Sequence, residues 1–460
     1  MPKEIGFLNS ELTLDNQFQS MADFLNWFES RKKANKFVVE KIPLSKMDKW
    51  FFDHKTKNIM HESGKFFKIK GIKVLTNDKA WEQPIIDQPE IGVLGIITKQ
   101  FNGIRYFLMQ AKMEPGNINF IQLAPTIQAT KSNYTQAHKG DAPKYLEYFV
   151  DKSKYKILVD CLQTENGGRF FRKRNRNIII EVEDDIPAHE DFKWLTLGEI
   201  KRLIQKDNFV NMDARSVISC INFSDQDVDD EFINKIERGF KRDVFISMVE
   251  KEKSIHSMDD ILHWFTEMKS NSEMNVETIA LKNVKNWIID YDEIRHEERN
   301  FFNIIGVSVQ AGNREIGKWD QPLVKHNSYA FIGFLAKRIN GILHFLIQAK
   351  AEPGSFTLVE MAPTVECSNV EERIKKGTQP KFLDIFMNAP KDKIRYMHFH
   401  SDEGGRFYQS ENKCVIVETD ENIEIPENYK WMTLNQITNL IKHNYFNISG
   451  RSLISYLSLK

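Results

Sequence analysis

Cysteine is scarce in this chain: four residues in 460, at Cys161, Cys220, Cys367 and Cys414, with no CxxC pair and no Cys/His ligand spacing. That argues against a structural zinc site and a disulfide framework, and makes a reducing cytoplasm the default expectation. Net charge is missing as well. Lys plus Arg and Asp plus Glu number 64 each, so no global field draws the chain to nucleic acid or to an anionic membrane, and any anion site must be local. Long apolar runs are also absent. The longest, such as IGVLGII at 91–97, have strand length, and the opening MPKEIGFLNSELTLDNQF carries no apolar stretch behind a basic start. Neither a membrane span nor a signal peptide is expected.

What is there is a repeat. QAKMEPGNINFIQLAPT at 110–126 returns as QAKAEPGSFTLVEMAPT at 348–364, with nine of seventeen residues identical at a spacing of 238. The match extends along the whole chain. FLNWF at 24–28 pairs with ILHWF at 261–265, WEQPII at 81–86 with WDQPLV at 319–324, GGRF at 167–170 with GGRF at 404–407, and RSVIS at 215–219 with RSLIS at 451–455. Units this long point to a duplicated domain, since solenoid repeats run to about 20–50 residues. The expected organisation is an N-terminal module over 1–223, a linker over 224–240 around the acidic SDQDVDDEF, and a C-terminal module over 241–460.

Within each copy, two apolar runs flank an Asn-Gly pair, as in VLGIITKQFNGIRYFLMQAK, which predicts a hairpin. RNIIIEVE and KCVIVET read as strands. APKYLEYFVD and LTLGEIKRLIQKD have the apolar spacing of short amphipathic helices, the second opened by a Thr196–Glu199 capping box with Thr433 and Gln436 in its counterpart. Each copy is thus expected to be an α+β unit, a mixed sheet flanked by helices.

Three motifs stand in order in the first copy: KMEPGN, then LAPTIQATKSNY, then GGRFFRKRNRN. Together they make the chain resemble the NDP-hexose 2,3-dehydratase family of deoxysugar biosynthesis, over both copies. The resemblance implies a tandem duplication of a Nudix-like module, a homodimer, a nucleoside-diphosphate 4-keto-6-deoxyhexose as substrate, usually dTDP-linked, and an active site with no cofactor and no metal. The implied reaction removes water across carbons 2 and 3 to give a 3,4-diketo-2,6-dideoxy sugar. One departure is visible: the family's His-Gly-Gly is HKGD here, changed at Lys139.

That chemistry needs a base for the carbon 3 proton, which the 4-keto group acidifies, a cation or donor for the enolate oxygen, and an acid for the 2-hydroxyl. Lys112 and Glu114 share a face if one strand carries both. Glu114 suits the base and Lys112 suits the enolate or a phosphate, against the plainer reading of a surface ion pair before a turn. Gln122, Thr126, Gln128, Thr130, Asn133 and Tyr134 form a polar series suited to hydrogen-bonding a sugar and a base, or else a capped turn. The second copy keeps Pro363 and Thr364 but replaces Gln122 with Glu360 and lacks the Asn-Tyr pair. Tyr134 and His138 are candidates for acid or base, although a lone loop His is more often solvated.

Arg169, Phe170, Lys173, Arg174, Asn175 and Arg176, preceded by Glu165, suit a pyrophosphate and its nucleoside, since guanidinium forks match phosphate oxygens; basic runs are otherwise solvated faces. Trp81 and Trp319 suit either nucleobase stacking or core packing. Lys350, Glu352, Thr364 and Arg406 mark a second nucleotide site. Catalysis is therefore expected in the N-terminal copy. Two rival readings remain. A metal-dependent Nudix hydrolase is disfavoured because APKYLEYFVDK offers only Glu147 and Asp151 in place of an R-E-x-x-E-E helix. A nucleotide-sugar-binding pseudoenzyme fits the second copy well.

Overall fold

The computed structural model describes residues 3–130, 142–151, 154–223, 230–299, 301–312 and 317–460. Asn133, Tyr134, His138 and Lys139 lie outside them, as does the acidic stretch at 224–229.

The Asn-Gly pairs form the turns predicted. Asn102 (φ 51°) and Gly103 (φ 80°) join the strands Gly92–Phe101 and Ile104–Met113, and Asn340 (φ 53°) and Gly341 (φ 80°) join Ala330–Ile339 to Ile342–Ala351. Positive φ at both central residues matches the twist of the flanking strands, so the hairpin forms without splaying. Each hairpin sits inside a seven-stranded mixed sheet. In the first half Arg174–Glu181 runs parallel to Gly92–Phe101, while Lys156–Thr164, Phe192–Thr196, Ile121–Ala124 and Ile127–Ala129 pair antiparallel. The second half repeats this arrangement. Both capping boxes form, Thr196 with Glu199 and Thr433 with Gln436. The APKYLEYFVD helix is shorter than its spacing suggests, only Glu147–Val150, because Tyr145 takes φ 64° just before it.

The halves are interlocked. Strand Phe37–Ile42 pairs with Phe302–Ala311 of the second half, and Asn275–Ile279 pairs with Lys68–Leu75 of the first, so each five-stranded sheet is completed by a strand from the other half. Between the seven-stranded sheets, helices Met212–Ser219 and Ile448–Tyr456 pack together in one hydrophobic core that includes Phe107, Ile179, Phe345 and Ile416 from both sides. Two fully buried arginines cross the junction. Arg215 Nη2 donates to the Ser401 carbonyl and Arg451 Nη2 to the Thr164 carbonyl, each at 2.7 Å.

The GGRF loops are exchanged in the same way. Gly116 N donates to Gly404 O (2.8 Å) and Gly354 N to Gly167 O (2.7 Å), so each loop seats on the Glu-Pro-Gly turn of the other half. The approach is close enough that a Cβ on Gly116 would overlap the Phe407 carbonyl. Gln83 and Gln321 of the repeated Trp-x-Gln-Pro motif brace these loops, donating to Gly168 O (2.9 Å) and Gly405 O (2.7 Å). The shared phrase of the sequence is thus the hardware of a reciprocal junction. Among the described residues, no helix is long and apolar enough to cross a membrane.

Candidate active site

Lys112 lies near the end of strand Ile104–Met113 and Glu114 just beyond it, where the chain turns through Pro115 and Gly116. Both are buried, and Lys112 Nζ stands 3.7 Å from Glu114 Oε1. They open into a cavity of about 590 Å³ whose wall also includes Gln128, Thr130, Glu165, Phe170, Lys173 and Asn175. A space of that size is in the range of small-molecule sites. Eight of the residues singled out from the first copy therefore meet in one place.

The far wall comes from elsewhere in the chain. Glu403, Gly405 and Arg406 belong to the exchanged loop of the second half, and Asp213 belongs to helix Met212–Ser219. Arg406, expected beside Lys350, instead faces the first-half cavity, with its guanidinium 4.2 Å over the Phe67 ring and Nε 3.2 Å from Gln88 Oε1. Half-buried Arg169 makes the reciprocal crossing: its Nε lies 3.0 Å from His326 Nε2, and Asp402 and Glu352 are its acidic neighbours. Desolvation brings the Arg169 guanidinium down to about 10, against the pull of those two carboxylates. Loop exchange explains both placements.

The basic run divides by strand alternation. Lys173 and Asn175 turn to the cavity; Asn175 Nδ2 donates to Glu165 Oε1 at 2.7 Å and Lys173 Nζ donates to the Glu90 carbonyl. Arg174 points away and stacks over Phe356 of the second half at 3.9 Å, while Arg176 pairs with Asp160. Other members of the polar series are scaffold. Thr126 Oγ1 donates to Leu108 O (2.5 Å) and accepts from Ile97 N (2.9 Å), a bridge that Thr364 repeats with Leu346 and Leu335, and Gln122 is buried against Ser401 across the junction. Trp319 lines the cavity, whereas Trp81 does not.

Gln128 organises the interior. Its Nε2 donates to Asp213 Oδ2 and lies 3.4 Å from Glu114 Oε1, while its Oε1 accepts from Asn211 Nδ2 at 3.0 Å, which fixes the amide's orientation. Burial, reinforced by Glu403, Glu165 and Glu114, pushes the Asp213 carboxyl well above the usual range. Burial likewise raises Glu165, and it raises Glu403 to about 7 although Arg406 opposes the shift. The cavity therefore gathers carboxyls that burial makes less acidic beside a lysine, an arrangement suited to acid–base chemistry. Asp213 and Glu403 escaped the sequence reading, yet a signal existed: they stand where the other copy has Ser449 and Asn166.

In the second half the corresponding lysine is neutralised. Lys350 Nζ lies 2.8 Å from Glu352 Oε1 and 2.7 Å from Glu366 Oε2, and Glu366 also accepts from Asn447 (2.9 Å) and Ser449 (2.5 Å). These two carboxylates raise the Lys350 ammonium above its ordinary range despite burial. Among the described residues no group of three or more His, Cys, Asp or Glu is arranged to hold a metal ion.

A family model described as NDP-hexose 2,3-dehydratase matches residues 21–221 and again 258–457. A dTDP-4-dehydro-6-deoxy-alpha-D-glucopyranose 2,3-dehydratase of Saccharopolyspora spinosa is 41% identical over 458 residues, covering 98% of this chain and 94% of that protein. Enzymes of the same name from Amycolatopsis orientalis (40% identical, 98% and 92% covered) and Streptomyces violaceoruber (38%, 94% and 96%) are similar along their length. With both halves matched by one family model, this chain belongs to the NDP-hexose 2,3-dehydratase family.

Proposed function

We propose that this enzyme dehydrates a nucleoside-diphosphate 4-keto-6-deoxyhexose, with dTDP-4-keto-6-deoxyglucose the first candidate, at the first-half cavity. The observation that carries this reading is the buried Lys112–Glu114 pair facing a cavity that Lys173 and Arg406 enter from two loops. Glu114 takes the carbon 3 proton. Lys112 sits two residues away on the same wall, where an ammonium stabilises the oxygen that becomes negative as the proton leaves. One such donor is worth about 2.7–4 kcal/mol of barrier. Lys173 and Arg406 suit the diphosphate, and half-buried Trp319 offers a flat face for the rest of the nucleotide, whereas Phe170 is core against Phe407.

The same reading makes the second half an accessory copy. Its lysine already has two carboxylate partners, and Ser449 replaces the carboxyl of Asp213. Finer features come with the family resemblance: a Nudix-like module in each half, a homodimer, a cytoplasmic location, and turnover without metal. Parallel incubations with a panel of NDP-4-keto-6-deoxyhexoses, one in EDTA and one with added Mg²⁺, followed by mass spectrometry, test the proposal. Loss of one water is expected. Release of a nucleoside monophosphate would indicate a diphosphate hydrolase instead, and binding without turnover a pseudoenzyme.

A further inference from the structure

The roles assigned so far leave the leaving group without an acid among the described residues. The cavity nonetheless holds a carboxyl that no role has used. Asp213 is 4% exposed, yet it lines the cavity from the first turn of helix Met212–Ser219. Gln128 ties it to Glu114: one amide nitrogen donates to Asp213 Oδ2 and stands 3.4 Å from Glu114 Oε1, and Asn211 prevents that amide from flipping. Two carboxyls are thereby held at fixed positions on either side of one side chain. Burial and the like charges gathered in one site disfavour joint ionisation, so Asp213 holds a proton more tightly than an ordinary carboxyl although Lys112 opposes the shift. Glu403, delivered by the second half's loop, faces the same group and is itself pushed up to about 7.

We infer that Asp213, with Glu403 as its proton partner, is the general acid that protonates the departing 2-hydroxyl. This rests on the dehydratase reading above. Glu114 takes the proton from carbon 3. The electron pair left there forms the carbon 2–carbon 3 double bond as the carbon 2–oxygen bond breaks, and the oxygen leaves as water with the Asp213 proton. In the tautomerisation that follows, carbon 2 takes back the proton held by Glu114 while the enol's 3-hydroxyl proton refills the Asp213–Glu403 pair. Both carboxyls return to their starting states, and the sugar has lost one water. The second half offers no such cycle, because Ser449 stands where Asp213 does.

A substrate whose leaving group needs no proton tests the assignment. The analogue bearing fluorine in place of the 2-hydroxyl expels fluoride unaided, so an acid's removal matters for one substrate and not the other. Asp213→Asn should lower kcat/KM for the hydroxyl substrate by about 10²–10⁴-fold and stay within about tenfold of wild type for fluoride release. Glu114→Gln should lose both. The comparison is made on one preparation, so the folded fraction cancels, and Asp213→Ser, which copies the second half, provides an independent variant. Equal losses on both substrates, or less than about a tenfold loss on the hydroxyl substrate, would overturn the inference. Wild-type enzyme that fails to dehydrate the hydroxyl substrate would overturn the dehydratase reading itself.

Discussion

Lys350 and Glu366 lie 2.7 Å apart, ammonium to carboxylate, at the place where the first half sets Lys112 opposite a neutral Gln128. One carboxylate in place of one amide gives Lys350 a second carboxylate partner beside Glu352 and makes it the centre of an ion-pair network.

The two lysines should therefore respond differently to removal. Lys112→Met is expected to cut dehydration per folded molecule by about 10²–10³-fold, as removing an oxyanion donor does, besides the stability lost when buried Glu114 loses its cation. Lys350→Met should leave turnover per folded molecule within about threefold and instead cost about 1–3 kcal/mol of stability, because two half-buried carboxylates lose their cation. Steady-state kinetics beside thermal melts separates the two outcomes. Equal losses of turnover would count against a single active half.

Glu403 predicts a pH signature. Its folded-state pKa of about 7 lies above the ordinary 4.5, so the native state holds this proton more tightly than the unfolded chain. The stability it contributes is full below about pH 4.5 and is lost as pH rises through 7. Glu403→Gln keeps the shape without the charge. Its melting temperature relative to wild type should rise between pH 5 and pH 8, as measured by calorimetry.

His400 acts in the opposite direction. Buried against Tyr456 at 4.5 Å between ring centroids, with Arg215 nearby, it is held well below the usual histidine range. The unfolded chain gains this proton near pH 6.5 and the native state does not. Stability should fall as pH drops from about 6.5, and His400→Asn should weaken that dependence, as read by chemical denaturation at pH 5 and pH 7.

The junction arginines should be expensive to lose. Arg451→Ala deprives the Phe446 and Thr164 carbonyls of their donor, each bonded at 2.7 Å. At about 1–3 kcal/mol per orphaned buried group, a loss of about 2–6 kcal/mol is expected, and Arg215→Ala should be comparable. A two-step denaturation curve in either variant would show that the halves melt separately.

Local features were the most legible in the sequence. The Asn-Gly hairpins and Thr capping boxes are set by neighbours within four residues, so pattern alone specifies them. Lys112, Glu114 and Gln128 were also readable, since one hairpin and its return strand carry all three. The run from Arg169 to Arg176 was misleading as a unit: a strand turns alternate residues to opposite faces, and a loop crossing takes Arg169 to the other half. Asp213 and Glu403 are far from Lys112 along the chain, and no local pattern brings them in. What pointed to them was the disagreement between copies, Asp213 against Ser449 and Glu403 against Asn166.

Strand exchange has a consequence for synthesis. Phe37–Ile42 leaves the ribosome long before its partner Phe302–Ala311, which begins 260 residues later. At about 5–20 residues per second the first half waits roughly 10–50 s with an open strand edge, a template for unwanted pairing until the second half arrives. Once the two copies had traded strands and loops, neither could be shed by truncation. Retention of the second copy then requires only that the first cannot close without it, whether or not it still binds a nucleotide.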